Sequence, residues 1–372
     1  MSYHIATRPL SRLRLALAVP AALVTLGAPA RAQYVQTNLT SDIPGRAANT
    51  DPQLQNPWGI SFGAASPFWV SDNGTGVSTL YNGLGVKQGL VVTIPGGVPT
   101  GQVFNNASAF PVGGGNASFI FATENGTIAA WRGALGSTAS TVFTSDGGSY
   151  KGLAIAGSGA TARLYATNFA TGHVDVLDNT FNLVNLPGAF TDPNLPAGYA
   201  PFNVQNIDGS IVVTYAVRNA ATGDDVAGAG NGIVDVYDQN GVLQRRLVSN
   251  GALDSPWGLA LAPNTFGPLG GSLLIGNFGD GTINGYDFFT GAMLGTVMGP
   301  DGAPLVNDGL WGLAFGNGNA TFDPNSLYIT AGLNDEADGL FARITATPEP
   351  GSLVLMATGL VGVVLVGRKR RV

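Results

Sequence analysis

The 372-residue chain has no cysteine, two histidines and only 11% charged residues, against 45% hydrophobic residues and 55 glycines. Without cysteine there are no disulfide staples, no thiol catalysis and no cysteine-ligated metals. His4 lies in the leader described next, so the body keeps only His173. One imidazole cannot build a histidine-rich zinc site, and a Ser-His-Asp triad would lack its G-x-S-x-G turn.

Residues 1–32 read as a secretory signal peptide. Arg8, Arg12 and Arg14 form a positive start, Leu15 to Leu26 is apolar, and Ala30-Arg31-Ala32 is an A-x-A cleavage site. No adjacent arginine pair is present there, which favours the general secretory route, and the mature chain is expected to begin at Gln33. Residues 33–347 then carry nine Lys and Arg against 22 Asp and Glu, a net charge of −13. Such a surface repels nucleic acid and anionic lipid, and suits cations or neutral polymers such as polysaccharide.

The body is glycine-rich, but its apolar residues recur in short alternating runs, the pattern of strands joined by tight turns. Tyr34 to Leu39 is one such run, with no neighbour of its own. An aromatic-glycine opening follows and recurs: Pro57-Trp58-Gly59-Ile60, Pro256-Trp257-Gly258-Leu259-Ala260 and Leu310-Trp311-Gly312-Leu313-Ala314. Weaker copies are Tyr150-Lys151-Gly152-Leu153-Ala154 and Pro201-Phe202-Asn203-Val204. Behind these openings comes a second element, a short apolar strand and a polar turn: Phe68 to Gly74, Phe119 to Gly126, Leu164 to Asn168, Ile211 to Tyr215, Leu273 to Asn277 and Leu327 to Thr330. These are six units spaced about 45–55 residues apart. That period, with four short strands per unit, predicts an all-β, six-bladed β-propeller over residues 33–347. Asn73-Gly74, Asn125-Gly126, Asp208-Gly209, Asn240-Gly241 and Asp280-Gly281 read as two-residue hairpin turns. A ring must close, so Tyr34 to Leu39 is expected to supply the outer strand of the last blade.

Aligning the second elements puts Asp72, Glu124, Asn168 and Asn277 at equivalent positions on one rim. Two carboxylates and two amides are hard oxygen ligands of the kind that suit Ca²⁺. The same residues are also ordinary turn formers before glycine. A second candidate site is the insertion Gly223 to Gly232, which carries Asp224 and Asp225 and is neither an EF-hand nor a phosphate loop. A third acidic group, Asn334 to Gly339, replaces the short turn of the sixth unit.

The chain ends in Pro348-Glu349-Pro350, then 17 uncharged residues from Gly351 to Gly367, then Arg368-Lys369-Arg370-Arg371. At ~1.5 Å per residue the apolar run spans about 26 Å as a helix, enough to cross a bilayer with its basic end in the cytoplasm. This order resembles the PEP-CTERM sorting signal of Gram-negative bacteria. The resemblance implies export through the secretion machinery, processing by an exosortase near Pro348-Glu349-Pro350, and delivery from an inner-membrane anchor to the cell surface or matrix. The candidate oxygen ring is similar to the calcium sites of six-bladed lactonase propellers. Ser255 to Pro263, Gly276 to Ile283, Asp224 to Ala227 and Leu310 to Gly316 resemble an uncharacterised bacterial family of exported propellers. That family implies a fold and a location, and no catalytic residues.

Two functions fit these residues. The first is a non-enzymatic binding or scaffolding module whose partners are exopolysaccharide or surface proteins. The alternative is a Ca²⁺-dependent hydrolase or lactonase in which the metal polarises a carbonyl and Glu124 or Asp72 is the base.

Overall fold

A computed structural model describes residue 1, residues 33–319 and residues 321–347. The signal segment from residue 2 to residue 32, the sorting residues Pro348, Glu349 and Pro350, and the basic residues Arg368 to Arg371 lie outside the described residues.

Six antiparallel sheets form the blades of a propeller, in chain order. Their inner strands are Pro57–Ser61, Pro99–Phe104, Tyr150–Ala156, Tyr199–Ile207, Pro256–Leu261 and Leu310–Phe315, which number blades 1 to 6. Blade 3 has three strands, and its fourth position is held only by a bridge between Leu177 and Leu183. The apolar residues sort into six clusters, each lying between two neighbouring blades. Trp69 and Leu80 of blade 1 meet Phe119 and Phe121 of blade 2, for example. This is why the strands are buried on both faces: each face of a blade is the core of one interface.

The closing strand is where the sequence places it. Tyr34–Ser41 pairs antiparallel with Asp338–Ala346 and completes blade 6 from the opposite end of the chain. Tyr34 anchors it. Its ring packs on Phe266 at 4.8 Å, and its hydroxyl donates to the Phe266 carbonyl and accepts from the Leu269 N–H, both at 3.1 Å.

The aromatic-glycine opening is a β-bulge. Register slips after Pro57, Tyr150, Pro201, Pro256 and Leu310, and the freed carbonyl turns toward the preceding blade. There a side chain catches it. Thr100 Oγ1 donates to Tyr150 O at 2.8 Å, Thr167 Oγ1 to Phe202 O at 3.2 Å, and Asn203 Nδ2 to Trp257 O at 2.6 Å. Thr330 does the same for Trp58. Glycine follows the aromatic because the next blade is too close for a side chain. A Cβ on Gly258 would stand 2.6 Å from Trp311 O, and one on Gly312 2.6 Å from Trp58 O.

Of the five dipeptides read as hairpin turns, only Asp208-Gly209 has both residues at positive φ, 49° and 85°. Asn73 instead opens a short 3₁₀ turn that ends on Gly76. The other three pairs, Asn125-Gly126, Asn240-Gly241 and Asp280-Gly281, put only their glycine at positive φ.

Candidate functional site

The inner strands begin, and the second strands end, on one face of the ring, called here the upper face. The first residue past each bulge is Trp58, Lys151, Phe202, Trp257 or Trp311. Trp58 and Trp311 stack at 3.4 Å, and Trp257 sets its edge to both at 5.9 and 5.5 Å. Phe278 stacks on the other side of Trp311 at 4.1 Å. With Phe169 and Phe202 these rings form a seventh apolar cluster, built from blades 1, 3, 4, 5 and 6. Rings from five blades meet only on the axis, so they close it from above.

Lys151 stands in blade 3 where three other blades carry tryptophan. Its ammonium lies 5.1 Å from the centre of the Trp58 ring, two blades away, and is ion-paired with Glu124. Glu124 also accepts from Asn73 Nδ2 at 2.9 Å. Asn73 in turn touches Asn56, whose Oδ1 accepts from Trp311 Nε1 at 3.1 Å. One polar chain thus runs over the aromatic plug from blade 6 to blade 3. Two further carboxylates reach this mouth. Burial pushes Asp225 up, with the Ser255 hydroxyl and the Lys151 charge pulling it partly back. Burial and then repulsion from Glu124 push Glu336 up, while Asn56 and Lys151 oppose this. Glu336 ends a turn in which Asn334, Asp335 and Glu336 all have left-handed φ, 55°, 52° and 66°.

Lys151 is ion-paired with Glu124 and its charge also acts on Asp225 and Glu336. Lys151→Met is expected to cost roughly 3 kcal/mol at pH 8, because a partner is removed from a largely buried pair. The cost is expected to shrink at lower pH, because burial makes Asp225 and Glu336 take up protons more readily than ordinary carboxylates. Urea unfolding at pH 8 and at the lower pH checks this, and an equal loss at both would contradict it.

The four residues aligned as an oxygen ring are not gathered at one point. Asp72 is fully buried within blade 1, where its carboxylate accepts from Thr79 N at 3.1 Å and Thr79 Oγ1 at 2.6 Å. Burial holds its carboxyl well above the usual range. Asn168 accepts from Ser149 N and donates to Asp175 at 2.9 Å. Asn277 donates to Ala252 O at 2.7 Å. Glu124 is not their equivalent. Asp72 lies opposite Pro57, and the residue opposite Pro99 is Thr123. The matching Asn-Gly pairs mislead because the turn after Asp72 is longer than the turn after Thr123. Among the described residues no three Asp, Glu or His side chains cluster closely enough to hold a metal ion. Of the insertion, Asp225 joins the mouth while Asp224 is exposed. His173 is exposed at the start of a strand.

Asp72 belongs instead to a set of buried carboxylate networks. Tyr81 donates to Asp51 at 2.6 Å, and Lys87 pairs with Asp51 at 2.7 Å. In blade 4, Asp235 sits among Tyr237, Asp192 and Arg246. Burial, with Asp192 adding to it, raises Asp235 to about 7. The folded state therefore holds this proton more tightly than the unfolded chain, whose aspartate titrates near ~3.9. The stability it confers is complete below that value and is lost as pH rises through about 7, up to about 4 kcal/mol. Asp235→Asn is expected to unfold at higher urea than the parent at pH 8 and at similar urea at pH 4.5. Equal midpoints at pH 8 would contradict this.

Below the plug the axis opens into a channel of about 570 Å³, lined by all six inner strands. Its lining contains no Asp, Glu, Lys, Arg or His.

Residues 346–371 match the PEP-CTERM protein-sorting motif. Two curated proteins of Acanthamoeba polyphaga mimivirus, both described as uncharacterised, align with most of the chain. One is 32% identical over 326 residues, covering 82% of this chain and 78% of its own length. The other is 33% identical over 316 residues, covering 80% and 82%. The chain belongs to the family of these mimiviral proteins. The resemblance drawn from the sequence named a bacterial family, whereas these relatives are viral, so a bacterial origin does not follow from membership. Among solved structures, a streptogramin B lyase aligns over 84% of this chain and 98% of its own, at 10% identity and a TM-score of 0.47. A nidogen/laminin complex aligns over 70% and 84%, at 13% identity and a TM-score of 0.45. The sorting motif implies a protein that is exported, directed to the surface and processed by an exosortase.

Proposed function

We propose that this member of the family is a non-enzymatic binding module carried to the cell surface. The axial channel carries the reading: it is a large concave site lined by all six inner strands, and no side chain on its wall can donate or accept a proton in catalysis near neutral pH. The titratable groups described at the mouth lie at the other end, over a plug of stacked rings, and the Lys151 amine there is tied to Glu124. In this reading residues 1–32 direct export, residues 33–347 form the module, and residues 348–372 hold it in the inner membrane until an exosortase acts at Pro348-Glu349-Pro350. Exopolysaccharide or other surface proteins are the partners.

The hydrolase reading now rests on Asp225 and Glu336 beside Lys151 rather than on a calcium ring. The purified full chain, offered chromogenic esters, lactones and glycosides with and without added Ca²⁺, is expected to give no turnover above buffer. Turnover that falls in Glu336→Gln or Lys151→Met would replace the binding module with an enzyme.

A further inference from the structure

We infer that the axial channel takes the end of a neutral saccharide, entering from the lower face. This names the ligand of the binding module proposed above and rests on that reading.

Each inner strand is the edge of its sheet. Its axis-facing N–H and C=O groups therefore have no strand partner, and six such edges line the channel. Donors and acceptors alternate along every edge, which matches a hydroxyl-rich ligand able to give and accept at each carbon. Among apolar side chains such as Ile60, Leu153, Leu259 and Leu313, the wall also carries the amides Gln205 and Asn206, with Asn106 at the opening. Gln102 is 6% exposed and donates its Nε2 to the Gly59 carbonyl at 2.7 Å and to the Trp69 carbonyl at 2.5 Å, which ties its side chain to blade 1. Gln205 is half-buried and Asn106 exposed, so these two amides are the ones a ligand in the channel can reach.

The lower opening carries three aromatic rings, Phe62, Phe104 and Phe315, each half-buried. Each is braced from behind, by Phe68 at 5.0 Å, Phe119 at 5.3 Å and Phe266 at 5.0 Å. Braced rings leave an apolar face for the C–H side of a pyranose. The lack of any charge on the wall disfavours phosphates, carboxylates and metal ions, which would lose their hydration without a counter-charge. The upper plug makes the channel a blind socket, so a chain end fits and a threaded polymer does not.

The test titrates the full chain, in detergent, with laminaritriose, cellotriose and maltotriose up to 20 mM (about 0.02 M, where weak saccharide sites saturate), using saturation-transfer NMR. An oligouronate of equal length is the charged control. At least one neutral trisaccharide is expected to bind saturably, with the uronate at least tenfold weaker. The double variant Asn106→Ala/Gln205→Ala, at exposed and half-buried positions, is expected to weaken binding at least fivefold with an unchanged thermal midpoint. Glu336→Gln, at the upper mouth, is expected to bind as the parent does. No saturable binding of any neutral trisaccharide, or binding that survives the double variant, would overturn the inference and leave the non-enzymatic reading standing. Binding accompanied by release of shorter sugars would keep the saccharide and overturn the non-enzymatic reading instead.

Discussion

Deleting residues 33–41 is expected to abolish cooperative folding. Tyr34–Ser41 is joined to the rest of blade 6 only by pairing, since its partner strand lies some 300 residues away in the chain. Its loss removes a ladder of backbone hydrogen bonds, each a net ~1 kcal/mol, and the burial of Tyr34 and Leu39, each about 2–3 kcal/mol. The total is on the order of 10 kcal/mol, comparable with the whole stability of an ordinary domain. It also uncovers the Asp338–Ala346 strand as an open edge, which invites aggregation. Circular dichroism during urea unfolding reads the result: a broad, non-cooperative loss of signal is expected. A synthetic peptide of residues 33–41 added in trans is expected to restore part of the transition. A sharp transition near the parent midpoint without peptide would show that the ring holds without its clasp.

Trp311→Ala is expected to lose about 4 kcal/mol, the usual scale for truncating a buried tryptophan. Trp311 is 1% exposed, lies between Trp58 and Phe278, and donates to Asn56. Its removal leaves a cavity on the axis and an open acceptor on Asn56, which also loosens the polar chain to Glu124. Trp311→Phe keeps part of the stack and loses the hydrogen bond, so its cost is expected to be about half. Urea midpoints of the two variants give the comparison. A cost below about 1 kcal/mol for the alanine variant would mean the rings are not the keystone of the upper face.

Much of the fold was legible in residues because each blade repeats the same constraints. The Trp-Gly openings mark places where an inner strand bulges and a neighbouring backbone leaves no room for a Cβ. Short continuous apolar runs such as Phe119–Thr123 and Leu273–Asn277 belong to strands buried on both faces, and a lone strand before the first opening implies closure. The third blade was less legible. Its missing outer strand depends on how residues 178–198 pack, which no periodicity encodes.

The site was legible only in part. Asp225 and Glu124 were singled out and do reach the upper mouth. The aligned ring failed because turn length, not the Asn-Gly pair, sets which residue ends a strand, and Asp72 spends its carboxylate on Thr79. Lys151 carried a signal that could have been read: it is a charge at a repeated position that holds an aromatic ring in Trp58, Phe202, Trp257 and Trp311. Glu336 could not be placed from sequence, because three successive left-handed residues without glycine defy local preference and are held by their surroundings. The channel was invisible for a different reason. Its wall is largely backbone edge, which every sequence possesses.

Hydrogen exchange of the full chain, with and without a saturating neutral trisaccharide, tests the account most directly. The amides that face the axis have no strand partner and exchange quickly unless something occupies the channel. Added protection is expected in Pro99–Phe104, Tyr150–Ala156 and Tyr199–Ile207, with the sugar recovered intact. Protection confined to the loops that carry Glu124, Asp225 and Glu336, or recovery of cleaved sugar, would contradict a binding module that works through its axial channel.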